Sequence, residues 1–208
     1  MTATRSAPTR PAVTAAVACV IGAALLWGTF HTTRGDTSFW LVGYSLAAVW
    51  IVGALAVGGV RPGRTSPPVI AAAVVVGVAA FAFVYVAYRL LRDVPVMGGA
   101  LDRVVGTADA AHVGAVLALA VVNAVAEELF FRGAIGSLLG RDEPWRFVIA
   151  TTAVYALVTA ASSNVALVLA GMGMGALFAT VAWRARGVLA SSVCHVTWST
   201  FMLLALRR

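Results

Sequence analysis

The sequence predicts an all-α fold, a polytopic bundle of about seven transmembrane helices, from its composition and from the spacing of its apolar runs. Of the 208 residues, 61% are hydrophobic and 11% are charged, and the mean hydropathy is +0.94. A soluble domain carries about 25% charged residues. Short polar breaks divide the chain into runs near the ~20 residues with which a helix crosses a bilayer. We therefore expect one integral membrane domain with several membrane crossings.

Taken in order along the chain, the breaks define seven spans: 11–30, 37–60, 69–90, 113–139, 147–162, 164–183 and 188–206. Residues 1–10 form a polar tail, and residues 91–112 are interpreted as a polar break. The run at 11–30 exceeds a signal-peptide core of 7–15 residues, so we interpret it as a retained helix. The fifth span is short, and only Ser162-Ser163-Asn164 separates it from the sixth.

The net charge is +7, and every basic Lys or Arg position is an arginine, since the chain has no lysine. These arginines lie in the breaks between apolar runs rather than on one amphipathic element, so we predict no nucleic-acid partner. The N-terminus and the breaks at 61–68, 140–146 and 184–187 share one side with eight arginines, against six on the other. The positive-inside tendency places the first group in the cytoplasm.

Two neighbouring acids, Glu127 and Glu128, lie in the middle of the fourth span, although the chain has only three glutamates. Carboxylates at membrane depth are costly and usually have a partner or a task. Glu128 and Arg132 share a helical face and are expected to form an ion pair. Glu127 points about 100° away and has Asn123 on its own face as a possible hydrogen-bond donor. A buried carboxylate without an ionic partner is a candidate general base for water. The alternative is that both acids only hold helices together.

His195 and Ser199 form a second polar pair, four residues apart in the last span. A lone histidine on an apolar helix is more often a packing residue than a catalyst. Counting ~1.5 Å per residue from the helix ends, however, both residues reach a depth close to that of Glu127. The two polar pairs are therefore expected to meet inside the bundle.

Two other patterns are interpreted as packing. Cys19 and Cys194 lie in apolar runs far apart in sequence, so we predict no disulfide. The run 171–175, Gly-Met-Gly-Met-Gly, lies inside an apolar span with no preceding strand, which argues against a nucleotide loop. Gly171 and Gly175 share a face, a spacing that lets membrane helices approach closely.

Glu-Glu-x-x-x-Arg at 127–132, followed by His-x-x-x-Ser at 195–199, resembles the CPBP intramembrane proteases. That family includes type II CAAX prenyl endopeptidases and bacterial relatives linked to bacteriocin self-immunity. The resemblance covers about residues 113–206, which would be the catalytic helical core, whereas residues 11–112 match only as hydrophobic helices and loops. It implies that Glu127 activates water, that Glu128 pairs with Arg132, and that His195 and Ser199 stabilise an oxyanion or bind a metal.

The chain departs from the family pattern at one site position. The family usually has an aromatic-x-x-x-His motif on the helix after the glutamates. The corresponding residues are Tyr155 and Thr159, so a threonine stands where the second histidine is expected. A catalytic zinc site normally has three protein ligands, and this chain offers at most Glu127 and His195. No cofactor is firmly predicted, and a divalent metal such as zinc is only a possible one.

These observations favour an intramembrane endopeptidase that cleaves a membrane-associated peptide or protein in the bilayer, by implication in a bacterial cytoplasmic membrane. Water is expected to enter from the cytoplasmic side, into a pocket between the helices that carry Glu127, Thr159 and His195. The alternative is a pseudoprotease that binds a membrane peptide or partner protein, for example in bacteriocin self-immunity. A third hypothesis, a transporter or proton-coupled accessory protein, lacks an inverted repeat to support it.

Overall fold

The computed structural model describes residues 9–33, 36–108 and 113–206, and all the regular structure in these ranges is helical. Eight helices are found there, which confirms the predicted fold class. They are α1 Arg10–His31, α2 Thr37–Val57, α3 Pro67–Leu91, α4 Pro95–Ala108, α5 Val113–Leu139, α6 Pro144–Ala160, α7 Val165–Ala185 and α8 Leu189–Leu206. The proposed tail at residues 1–10 lies almost wholly outside the described residues.

Six of these helices are long and apolar enough to cross a membrane, namely α1, α2, α3, α5, α7 and α8. The seventh predicted span corresponds to α6, which is apolar but only 17 residues long. The expectation of about seven spans is therefore roughly met. The chain is an integral, multi-pass membrane protein.

Local sequence signals explain where several helices begin and end. A proline stands in the first turn of α1, α3, α4 and α6, where its missing N–H would have no helical partner. Asn164 begins α7, because its side-chain oxygen accepts a hydrogen bond from the Leu167 N–H at 3.1 Å. The weak break at 162–164 is thus a well-formed helix boundary.

Residues 91–112 separate two candidate membrane spans, as predicted, and within this segment residues 95–108 form helix α4. Its Ala100 carbonyl accepts a hydrogen bond from the Asn164 side chain at 2.9 Å. The segment contains three glycines and several charges, so a hydropathy scan does not recognise it as a helix. Asn164 therefore caps α7 and fastens α4 to it.

The bundle has one closely packed end, where α1 and α3 begin and α2, α5 and α7 finish. We name it the arginine-rich end, after the described arginines at positions 10, 61, 64, 141, 146, 184 and 186. Its loops bond to one another: the Arg64 N–H donates to the Ala185 carbonyl at 2.8 Å, and the Val188 N–H donates to the Arg61 carbonyl at 2.9 Å. At the opposite end lie α4 and the loop between α6 and α7.

An aromatic cluster fastens α5 to α1 and α2. The Trp50 ring stacks on Phe130 at 4.9 Å and tilts against Phe131 at 5.0 Å, and all three side chains are almost fully buried. Gly22 on α1 leaves the space that the Trp50 indole fills. This packing fixes the segment of α5 that carries the two glutamates.

Cys19 and Cys194 are both free thiols in apolar packing, as predicted. Gly171 and Gly175 also pack as predicted. A Cβ atom at Gly175 would lie 3.2 Å from the Tyr155 ring, and one at Gly171 would lie 3.4 Å from the Thr159 side chain. The glycines therefore let α6 and α7 lie close together.

Candidate active site

The helix that carries the glutamates widens at the site. From Glu128 to Ile135 it is π-helical, with the Gly136 N–H reaching back to the Phe131 carbonyl, five residues earlier. The sequence analysis assumed a regular α-helix here, and that assumption is wrong for this segment. Single π turns within α-helices are frequent at functional sites. Here the segment begins at the second glutamate and includes Arg132.

Glu128 and Arg132 form the predicted ion pair, with Nη1 of Arg132 donating to Oε1 of Glu128 at 2.9 Å. Both side chains are 0% exposed. Arg132 also donates from Nη2 to the Gly175 carbonyl at 3.0 Å, and its guanidinium lies 4.7 Å from the centre of the Tyr155 ring. The charge of Glu128 is therefore neutralised in place, and Arg132 connects α5 with α6 and α7.

His195 joins this pair rather than Glu127. Its Nδ1 lies 3.1 Å from Oε1 of Glu128, the oxygen that also accepts from Arg132. Because a carboxylate accepts, Nδ1 carries the proton in this arrangement. The imidazole stacks on Phe178 at 4.2 Å. Glu128 thus orients His195, which lies near enough to Glu127 for an electrostatic interaction.

Glu127 has a different set of contacts. Its Oε2 accepts a hydrogen bond from the Tyr155 hydroxyl at 2.7 Å, a length typical of a charge-assisted bond. The predicted donor, Asn123, instead gives its side-chain N–H groups to the carbonyls of Gly43 and Leu119. Asn123 lies one turn back on the correct face, but these two backbone oxygens are nearer to its amide.

A cavity of about 800 Å³ reaches Glu127. Its lining is mostly apolar and comes from α1, α2, α3, α4, α5, α7 and α8. Asn123, Glu127 and Ser199 are among its few polar residues. Tyr155 bonds to Oε2 of Glu127 and the side chain lines this cavity, so the carboxylate keeps lone pairs for a water molecule there. Ser199, four residues after His195, faces the same space as predicted.

Water was expected to enter from the end that carries most of the arginines, but this cavity lies elsewhere. It lies in the half of the bundle away from the arginine-rich end, between the last turns of α1, α3 and α8 and the first turns of α2, α5 and α7. At the arginine-rich end, hydrogen bonds join the loops to one another. From the sequence, one can predict how deep a residue lies within its span. The sequence does not indicate which end of the bundle is closely packed.

Thr159 does not line this cavity. It is 5% exposed and packs towards Gly171, and its hydroxyl donates to the Tyr155 carbonyl at 2.8 Å within the same helix. The prediction placed the pocket between the helices of Glu127, Thr159 and His195. It is wrong for α6, the helix of Thr159, which does not line the cavity. That helix lies behind Glu127 and contributes Tyr155 instead.

The site does not fit a catalytic zinc ion. The described residues contain no group of three histidine, cysteine, aspartate or glutamate side chains placed to hold a metal. Oε1 of Glu128 is already bound by Arg132 and His195. Its Oε2, one oxygen of Glu127 and one nitrogen of His195 remain, and they do not form the three-ligand group that a catalytic zinc site requires.

Arg141 is a site residue that the sequence analysis missed. From the loop after α5, its Nη2 donates to the Arg132 carbonyl at 2.7 Å, and its guanidinium lies 4.9 Å from the centre of the Phe147 ring. Burial, and to a lesser extent the nearby Arg61, lower the pKa of Arg141. Arg141 supports a carbonyl of the π-helical segment. In the sequence it is indistinguishable from a topology-setting arginine.

Comparison with protein families agrees with this geometry. Residues 109–201 match the family model described as "Type II CAAX prenyl endopeptidase Rce1-like". The matched range contains both glutamates, Arg132, Tyr155, Thr159, His195 and Ser199. Neither the curated proteins nor the solved structures gave a match. The predicted resemblance is thus confirmed: residues 109–201 are similar to the Rce1-like type II CAAX prenyl endopeptidase family.

Proposed function

We propose that the protein is an intramembrane endopeptidase in which Glu127 activates a water molecule to hydrolyse a peptide bond of a membrane-associated substrate. The observation that carries this proposal is that the two glutamates have different surroundings. Glu128 is 0% exposed and is bound by Arg132 and His195. Glu127 lines the cavity with one oxygen held by Tyr155. We therefore assign the removal of a proton from water to Glu127.

In the proposed reaction, Oε1 of Glu127 accepts a proton from water as the oxygen attacks the scissile carbonyl carbon. Ser199 lines the same cavity, and we assign to its hydroxyl the hydrogen bond to the oxygen that becomes negative. Glu127 then returns its proton to the leaving nitrogen as the C–N bond breaks. The water is consumed as one acid and one amine, and the site returns to its starting state.

The apolar lining of the cavity favours a substrate that carries a hydrocarbon chain. Its lining includes exposed apolar side chains such as Phe83 on α3 and Leu169 on α7, which are 76% and 54% exposed. The matching family is described by CAAX prenyl endopeptidase activity, and a prenylated peptide near its C-terminus has this chemistry. We therefore propose such peptides as the first substrates to test, and a bacterial cytoplasmic membrane as the location.

The test uses purified protein in liposomes with three classes of peptide: farnesylated C-terminal peptides, the same peptides without the lipid, and apolar transmembrane peptides. We expect cleavage by the wild type and by Glu143→Gln, whose exposed side chain lies in the loop before α6. Glu127→Gln should abolish it. A folded wild type that cleaves no class, but binds one of them, would instead make the protein a peptide-binding pseudoprotease.

A further inference from the structure

The Tyr155 hydroxyl is the hydrogen-bond donor to Glu127 that the described structure provides. The O–H donates to Oε2 at 2.7 Å, from α6, a helix that does not line the cavity. Short bonds to a carboxylate are about twice as strong as bonds between neutral groups. Tyr155 therefore restrains one oxygen of the residue to which we assign the activation of water.

The surroundings of Tyr155 fix the direction of its hydroxyl. The edge of its ring meets Phe131 with the ring centres 4.9 Å apart, and the Arg132 guanidinium lies over its face. On the side of α7, Gly175 and Gly171 leave room for the ring, and a Cβ at either position would lie 3.2 Å or 3.5 Å from it. A ring held on these sides has little freedom to turn its hydroxyl away from Glu127.

One turn after Tyr155 on the same helix stands Thr159, at the position where the related proteases usually have a histidine. The Thr159 hydroxyl bonds to its own helix and does not reach Glu127. In this chain, therefore, α6 offers Glu127 a phenol rather than an imidazole. A phenylalanine at position 155 would keep the ring packing but could not make the bond.

We propose that Tyr155 is the positioning residue of Glu127, and that its hydroxyl provides from α6 the polar contact that Thr159 does not provide. By bonding to Oε2, it holds the carboxylate in one orientation at the cavity. This inference rests on the proposed function of Glu127. It assigns a role to the Tyr155 hydroxyl, a group that a phenylalanine at the same position would lack.

The test is Tyr155→Phe in full-length protein in liposomes, with Tyr85→Phe as the matched control. The Tyr85 hydroxyl lies on α3 and accepts from Arg89 at 3.4 Å, outside the cavity lining. We expect Tyr155→Phe to lower kcat by about ten- to a hundredfold, the scale of one charged hydrogen bond, and to leave KM within about twofold. Tyr85→Phe should match the wild type. A purely structural role would instead lower thermal stability and the active fraction.

Two further measurements separate this inference from the proposed function. In the Glu127→Gln background, Tyr155→Phe should cause no further loss, because its effect passes through Glu127. In the infrared difference spectrum, Tyr155→Phe should shift a carboxyl band that Glu127→Gln removes, whether or not a substrate is cleaved. Normal kcat in Tyr155→Phe with a dead Glu127→Gln, or an unshifted band, would overturn the role of Tyr155 alone. An active Glu127→Gln would overturn the proposed function itself.

Discussion

Nδ1 of His195 lies 3.1 Å from Oε1 of Glu128, on the same oxygen that accepts the Arg132 guanidinium at 2.9 Å. One buried carboxylate oxygen thus binds a guanidinium from its own helix and an imidazole from α8. The neighbouring Glu127 is left with a neutral phenol and a cavity. Adjacent residues of one type have therefore acquired different surroundings.

Replacing Arg132 alone should lower the unfolding free energy far more than replacing both Glu128 and Arg132. In Arg132→Met, Glu128 would remain buried without its guanidinium, which we expect to cost about 3–5 kcal/mol of unfolding free energy. The double variant Glu128→Gln/Arg132→Met should lose less than the sum of the single variants. The measurement is chemical unfolding in mixed micelles. Additive losses would contradict the coupling.

Gly175 should tolerate no side chain, because its missing Cβ makes room for two groups of the site. A Cβ there would lie 3.2 Å from the Tyr155 ring and 3.5 Å from Nη2 of Arg132. We expect Gly175→Val to lower the rate of cleavage by about tenfold or more, since small misplacements at a site are costly. Gly114→Val is the matched control, because a Cβ there meets nothing within 4 Å and Gly114 lies outside the cavity lining. Equal activity of the two variants would show that this packing is unimportant.

Arg141 should stabilise the π-helical segment. Arg141→Met removes the bond to the Arg132 carbonyl and leaves that oxygen without its side-chain donor. We expect a loss of about 1–3 kcal/mol in unfolding free energy, with a smaller loss for Arg141→Lys. Hydrogen exchange should increase at residues 128–136 and not in α3. Unchanged exchange in this segment would contradict the role assigned to Arg141.

Thr159 should prove replaceable. Its hydroxyl bonds within α6, so Thr159→Val is expected to cost at most about 1 kcal/mol and to leave cleavage close to that of the wild type. The measurement is the rate of cleavage beside the thermal midpoint. A large loss of rate with unchanged stability would restore Thr159 to the site.

Cleavage should not depend on a bound metal. The described residues place no three histidine, cysteine, aspartate or glutamate side chains to hold a metal ion, as a catalytic zinc site requires. We expect activity to persist in excess chelator, with metal below one equivalent per chain by mass spectrometry. Stoichiometric zinc together with chelator-sensitive activity would contradict this.

Much of this architecture was accessible from the sequence, because transmembrane helices follow from hydropathy and the Glu128–Arg132 pair follows from helical spacing. The partner of His195 was not, since spacing gives depth within a span but not the rotation of one helix against another. Tyr155 appeared as the aromatic position of a motif, and nothing in the chain indicated that its hydroxyl reaches across to Glu127. Helix α4 was missed because its glycines and charges resemble those of a loop.

The central claim is that Glu127 activates water, whereas Glu128 holds Arg132 and His195 in place. One paired measurement tests it directly. Rate of cleavage and thermal midpoint are measured for wild type, Glu127→Gln and Glu128→Gln in the same liposomes. We predict that Glu127→Gln keeps the wild-type midpoint and loses about 10²–10⁴-fold in rate, whereas Glu128→Gln lowers the midpoint. Wild-type cleavage by folded Glu127→Gln would contradict the account.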